Sequence, residues 1–361
     1  MSYPSVGQPD PLSRATLDGL VSAIRPGWDV LDVEPIPDSS DIVYALTVET
    51  GAGRATARSE RAAVLKCFRD VEALSFRTHD RFLVEVDLLE LVGRETDLPV
   101  PGVLGVCESH AELPAPAFLM DRLPGRPVTG LPVPAEGDAS DRMLREAGRA
   151  LATIHELRTF EDFGTLVRDA EGRTGSSAGV IAVEDARDQW RDRLRDILAD
   201  ALDDVDERFA ALETPLREYV RERIESLDLE ADSVLLHGDY RPGNLLADPE
   251  TRDLTAVLDW GAAQAGDPRY ELAWAVREFS NREPVDSPVR RRVRDALVSA
   301  YESERGDSFE RDEAFDRLQR FYLAVTWIAE LGSFELWWAG ADESVKAARA
   351  DQLRERVNAL F

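Results

Sequence analysis

Two periodicities divide the chain. Near its start, Asp41–Thr50 (DIVYALTVET) alternates apolar and polar residues as a half-buried strand does, and Ala62–Phe68 (AAVLKCF) reads as a second strand. The polar run GAGRATARSERA lies between them, and a hairpin is the simplest joining. Arg81–Glu95 (RFLVEVDLLELVGRE) has helical spacing, which Pro99-Val-Pro101 breaks. After the apolar stretch GVLGVCES, Ala117–Leu123 (AFLMDRL) predicts a last strand. The following PGRPVTGLPVPAEGD has little to bury, which places a domain boundary there: residues 1–123 form one lobe and 124–361 the other.

Beyond that boundary helices dominate. DRMLREAGRALATIHEL sets Leu144, Ala147, Gly148, Leu151 and Ile154 on one face, the period of a core-facing helix. Charged residues at helical spacing from Asp185 to about Leu227 predict solvated amphipathic helices. A short β pattern over Val234–Gly261 interrupts them, and helices resume near Arg269 and run to the C-terminus. Trp327, Leu331, Phe334 and Trp338 share a face and read as core. Glu330, Glu335 and Trp337 lie off its centre, where a solvated face is a simpler reading than substrate contact.

Charge narrows the function. The 361 residues hold 43 Lys plus Arg against 70 Asp plus Glu, a formal net charge of -27. Such a polyanion, without a basic stretch, is poorly suited to nucleic acid or to an anionic membrane surface. Nothing approaches the roughly 20 consecutive apolar residues of a membrane span, so the cytoplasm is the default location. The two cysteines, Cys67 and Cys107, lack metal-ligand or redox spacing. The acid excess fits a protein kept soluble in concentrated salt, where self-repulsion is screened. Lysine occurs only at Lys66 and Lys346, so nearly all positive charge is arginine.

The stretch with the most chemistry is His237-Gly-Asp-Tyr-Arg-Pro-Gly-Asn244, followed by Asp259-Trp-Gly. Phosphoryl transfer from ATP needs a carboxylate to orient the attacking hydroxyl and hard oxygen ligands for Mg2+. Asp239, Asn244 and Asp259 are of the required types. Leu245–Ala247 and Leu254–Leu258, joined by the turn-rich ADPETRD, read as a hairpin that brings Asn244 and Asp259 to the same end.

LHGDYRPGNLL, AVLDWG, GDPRYELAWA, LATIHEL and the Lys66 strand, spread over about residues 38–275, resemble the aminoglycoside phosphotransferase and choline kinase family. The resemblance implies an α+β, two-lobed, protein-kinase-like fold, with a small N-terminal antiparallel β-sheet lobe carrying a helix and a larger, mainly α-helical C-terminal lobe. It implies transfer of the γ-phosphoryl group of ATP to a hydroxyl of a small substrate of the aminoglycoside, amino alcohol or sugar class. Asp239 would be the base, and Asn244 and Asp259 the Mg2+ ligands. Lys66 would pair with the α- and β-phosphates and be held by a helix glutamate.

The residues themselves select that glutamate. On a helical wheel Glu85 is centred among Phe82, Leu88, Leu89 and Val92. A carboxylate there is costly to bury unless paired, and Lys66 is the only lysine in this half of the chain. Were Glu85 at a wet helix edge, Glu72 or Glu90 would compete. Keeping lysine in an arginine-based sequence also suggests a need for a compact point charge.

The chain departs from the family at several places. Arg241 stands where the family commonly has histidine; it would either stabilise the transferring phosphoryl oxygens or bond a neighbouring carboxylate. The nucleotide loop, Pro37-Asp38-Ser39-Ser40-Asp41, lacks glycine. Ser39 and Ser40 would contact phosphates through hydroxyls and backbone amides, with ATP the first choice and GTP still open. Backbone groups of Asp121 to Leu123 would meet the purine, with Met120 lining the back of its pocket. His237 would organise the catalytic loop, and Asp267 belongs to the segment that braces its floor, where Glu271 replaces the family's aspartate. His155 reads as a core histidine, and His79 and His110 have no metal-partner spacing.

A nucleotide-binding pseudokinase and a protein kinase are the competing functions. Only eleven residues separate Asp259 from Glu271, little room for a peptide platform, and every group needed for transfer is present. An acidic cleft would favour amines as acceptors, but the acidity of the whole chain obscures that signal. Oligomeric state is not legible.

Overall fold

The computed structural model describes residues 11–37, 39–50, 59–70, 78–130, 138–169, 181–306, 309, 311–338 and 340–360. Helix α1 (Arg14–Ile24) precedes strands β1 (Asp29–Ile36), β2 (Ile42–Thr50) and β3 (Ser59–Cys67). Helix α2 (His79–Glu95) and strands β4 (Val103–Cys107) and β5 (Ala117–Asp121) follow. The strands form one antiparallel sheet in the order β1-β2-β3-β5-β4. The expected hairpin is the β2–β3 pair, in unbroken register from Ile42 opposite Cys67 to Thr50 opposite Ser59.

The two faces of this sheet have different partners. Tyr44, Leu46, Leu65 and Cys67 pack with Leu17, Leu20 and Val21 of α1. Strand alternation turns Lys66, between Leu65 and Cys67, to the opposite face. Helix α2 begins at a Thr78 cap whose hydroxyl accepts the Arg81 N–H, and it buries Phe82, Leu88, Leu89 and Val92.

The remainder of the chain starts with β6 (Arg126–Pro127), α3 (Asp138–Leu157), β7 (Thr159–Phe160), β8 (Phe163–Arg168), β9 (Ile181–Arg187), α4 (Trp190–Asp203) and α5 (Ala210–Ser226). Next come β10 (Ser233–Leu236), β11 (Leu245–Ala247), β12 (Leu254–Val257) and β13 (Gln264–Gly266). It ends in helices α6 (Pro268–Phe279), α7 (Pro288–Arg305), α8 (Glu313–Gly332), α9 (Phe334–Trp338) and α10 (Glu343–Asn358). The short strands make two sheets, β7-β10-β13-β8-β9 and β12-β11-β6. The architecture is α+β, with the expected antiparallel N-terminal sheet and helix and a larger, mainly helical part.

One expectation fails at a boundary. Asp185–Arg187, read as the start of charged helices, complete β9, and helix begins at Trp190. Pairing with β8 from Phe163 to Arg168 overrides the local charge pattern. Helix α3 keeps its predicted face: Leu144, Ala147, Leu151 and Ile154 are buried. A Cβ on Gly148 would lie 2.2 Å from the Leu297 carbonyl oxygen, so this glycine lets α3 and α7 approach closely. Among the described residues no helix is long and apolar enough to cross a membrane.

Candidate active site

Strand β3, helix α2 and the turn after β12 converge on Lys66. Its Nζ donates to Glu85 Oε2 at 2.6 Å and to Asp259 Oδ1 at 2.8 Å, with Asp41 Oδ2 at 3.5 Å. Lys66, Glu85 and Asp41 are all buried. Glu90, the other helix candidate, is exposed, and Glu72 lies outside the described residues. Burial alone would lower the Lys66 pKa, but Asp259, Glu85 and Asp41 outweigh it and raise it, so the ammonium stays charged. Conversely, Lys66 holds Asp259 well below the usual carboxylate range. Burial pushes Glu85 upward against the pull of Lys66, with Asp259 and Asp41 adding to the rise.

Asp259 has a positive φ of 65°, uncommon outside glycine, and 41% of its side chain is exposed. The β11–β12 hairpin sets it beside Asn244, since the Leu258 N–H donates to the Asn244 carbonyl at 2.8 Å. Asn244 Nδ2 in turn donates to the backbone oxygen and to Oδ2 of Asp239, at 2.9 and 2.8 Å. Arg241 Nε reaches the same Oδ2 at 2.8 Å. Of the two partners open to Arg241, the structure therefore places it on a neighbouring carboxylate, that of Asp239. Burial raises the Asp239 pKa, with Arg241 opposing and Asp259 adding.

The loop is held from beneath. Glu271 accepts the backbone N–H groups of His237 and Gly238 at 2.9 and 2.6 Å, so this longer acid does bind the loop from His237 to Asn244. His155 bridges Glu271 and Tyr301, a fully satisfied buried position, as expected of a core histidine. The His237 ring takes one tautomer: Nε2 donates to the Leu258 carbonyl and Nδ1 accepts the Asp239 N–H. Gly238 has φ +82°, and a Cβ there would lie 1.8 Å from the Ala262 carbonyl oxygen, so glycine is obligatory. Asp267 caps α6 through the Arg269 N–H and accepts from Tyr322.

The remaining candidates lie toward the strand sheet. Ser39 accepts the Asp41 N–H and Ser40 is exposed, whereas Asp38 lies outside the described residues. Met120 and Leu123 are half-buried. The Asp121 N–H donates to the Gly102 carbonyl at 2.9 Å, which removes that amide from the groups a purine would meet. Sequence reasoning missed two participants and misread a third acid. Asp41 joins Lys66 only because β2 pairs with β3. Glu278 lies near Asp239 and Arg241, and its spacing of seven residues from Glu271 was a usable signal. Glu330 is buried and paired to Arg277, not solvated.

The fold is that of the kinase-like phosphotransferases. The chain matches the phosphotransferase enzyme family over residues 35–315 and belongs to it. In fold it is similar to aminoglycoside 2'-phosphotransferase-IIIa in a GDP complex (TM-score 0.61, 16% identity, 97% of this chain and 100% of that one). Amicoumacin kinase hAmiN in complex with AMP-PNP and Ca2+ is also similar (TM-score 0.63, 12% identity, 96% and 93%). Among curated proteins, acyl-CoA dehydrogenase family member 10 of Mus musculus is 25% identical over 207 residues, 56% of this chain. The match spans 17% of that relative's length.

Proposed function

We propose that the protein transfers the γ-phosphoryl group of ATP to a hydroxyl of a small molecule, with Asp239 as the base. The observation that carries this reading is the hydrogen-bonded chain from Lys66 through Asp259, the hairpin and Asn244 to Asp239. It links the cation proposed for the phosphates to the carboxylate proposed as the base. Residues 1–123 would form the nucleotide lobe and 124–361 the lobe that carries the base and the acceptor.

Asp239 has one oxygen, Oδ2, fixed by Asn244 and Arg241. Its Oδ1 is left to orient the hydroxyl and take its proton, and the raised pKa makes it a better base than an ordinary aspartate. Lys66 is the fixed cation for the α- and β-phosphates, released to them from its shared carboxylates. Ser39, Ser40 and the strand end at Met120 to Leu123 remain proposed nucleotide contacts. His237 and Asp267 position the loop.

The donor set fits magnesium. With its amide hydrogens directed at Asp239, Asn244 has Oδ1 to offer a cation, and Asp259 adds a partly exposed carboxylate. Two hard protein oxygens completed by phosphate and water suit Mg2+. When bound, the ion would neutralise charge on the phosphoryl oxygens.

The two structural relatives described above hold GDP and AMP-PNP, which supports nucleotide binding and keeps GTP as the competitor to test. ADP release with Mg-ATP over a panel of hydroxyl compounds, at high and low salt, tests activity and salt adaptation together. Asp239→Asn should lower turnover about 10²–10⁴-fold. Unchanged turnover would remove Asp239 as the base.

A further inference from the structure

Beyond the catalytic loop the local charge inverts. The end of α6 lies against that loop, with the Phe279 and Tyr240 ring centroids 6.1 Å apart. Glu278 therefore reaches the neighbourhood of Asp239 and Arg241, whose charges both act on its carboxyl. Cations gather around it. Arg277 Nη1 and Arg282 Nε donate to Glu278 Oε1 at 2.8 and 3.1 Å, and both guanidinium groups also meet Glu330 of α8. The Trp327 ring has Arg277 at 4.4 Å and Arg356 of α10 at 4.9 Å. Arg349 is near enough to act on Arg282 and Arg356, and Glu283 is the further acid felt by Arg356.

Arg290 of α7 adds a cation for which no ion pair is found among the described residues. It is 6% exposed, and its Nη1 is buried without a hydrogen-bond partner. Among the described residues, the charges that act on it most are those of Arg277 and Arg294, both cations. A buried cation without a counter-ion is costly. Carboxylates to pair it are plentiful in a chain of net charge -27. The Nε of Arg277 and the indole Nε1 of Trp274 are likewise buried without an acceptor. In this region the unmatched polar atoms are donors, and Arg277, Arg282, Arg290, Arg349 and Arg356 outnumber Glu278, Glu283 and Glu330.

We infer that this arginine-rich region beside Asp239 receives the acceptor, and that the acceptor is a hydroxyl compound bearing an oxyanion, either carboxylate or phosphate ester. The inference rests on the phosphotransfer reading for the hydroxyl and on the arginines for the anion. A planar guanidinium fork suits both oxyanions, and the anion supplies the hydrogen-bond acceptors that Arg290 and Arg277 lack. An acidic cleft would favour amines; the local charge here points the other way.

The test is calorimetric binding in the presence of Mg-AMP-PNP, paired with ADP release from Mg-ATP. The probes are 3-hydroxybutyrate and glycerate, glycerol 3-phosphate, and choline and kanamycin. At least one anionic probe should bind, and the carboxylate and phosphate arms separate the two oxyanions. Arg290→Met and Arg356→Met should each weaken that binding about 10–100-fold. Arg290→Met should not lower the melting temperature, because it removes a buried unpaired charge, whereas a purely structural arginine would leave a less stable protein. Binding of choline or kanamycin with neither anion bound overturns the inference, as does unchanged anion affinity in both variants. Anion binding that depends on Arg290, in a protein that neither binds nor turns over ATP, supports this inference and removes the phosphotransfer reading instead.

Discussion

Lys66 and the arginines around Glu278 are two charged clusters near Asp239, built in opposite senses. At Lys66 three carboxylates share one ammonium. Near Glu278 guanidinium groups are in excess, and the main charges acting on Arg290 among the described residues are those of other arginines. The difference shows how a protein of one overall sign can present two local ones. An acid excess beside a fixed ammonium suits a metal–nucleotide, whose cation needs oxygen donors, while an arginine excess suits an oxyanion. Residue choice follows: a compact point charge sits where three carboxylates converge, and planar forks sit where aromatic rings and acids can be met edge-on or face-on.

The largest expected effect tests that choice directly. Lys66→Arg keeps the charge but spreads it over a plane that three converging carboxylates do not fit. Turnover should fall about 100-fold or more through misplacement; kcat within twofold of wild type would break the contrast between the two sides. Next is Glu278→Gln. Burial pushes the Glu278 carboxyl up to about 7, with Arg277 opposing and Asp239 adding. Because the folded pKa exceeds the ordinary glutamate value of 4.5, the unfolded chain ionises first, and stability falls as pH rises from about 4.5 to about 7. Denaturant titrations across that window should show Glu278→Gln removing up to about 3 kcal/mol of this loss. An unchanged slope would mean that Glu278 is not buried as described.

Smaller effects sharpen the picture. Glu85→Gln should cost about 1–3 kcal/mol by urea denaturation, since Lys66 keeps Asp259 and Asp41. A loss well above that would make Glu85 the dominant partner. The smallest change is Lys346→Arg. Lys346 pairs with Glu335, whose side chain is 46% exposed. Replacing it should alter stability by less than about 0.5 kcal/mol and leave turnover unchanged. A substantial loss would show that lysine matters for more than the Lys66 cluster.

Local patterns went far in some regions and failed in others for physical reasons. Glu85 was identifiable because a carboxylate amid Phe82, Leu88, Leu89 and Val92 must be paired, and one lysine was at hand. Gly148 and its neighbours were legible because α3 buries a regular stripe. Strand β9 was not, because its pairing with β8 is a tertiary contact that competes with a helical charge pattern. Glu330 looked solvated for a similar reason: its partner, Arg277, lies 53 residues away on another helix.

By itself the sequence determined the alternation that makes the N-terminal sheet, the apolar stripes of α2 and α3, and the spacing of Asp239, Asn244 and Asp259. These follow from short-range geometry, which periodicity records. Only the tertiary structure decided that Asp41 joins Lys66, that Arg241 binds Asp239, and that arginines crowd the side of Asp239 near Glu278. Electrostatic energies depend on distance through space and on burial, and neither is written in the order of residues along the chain.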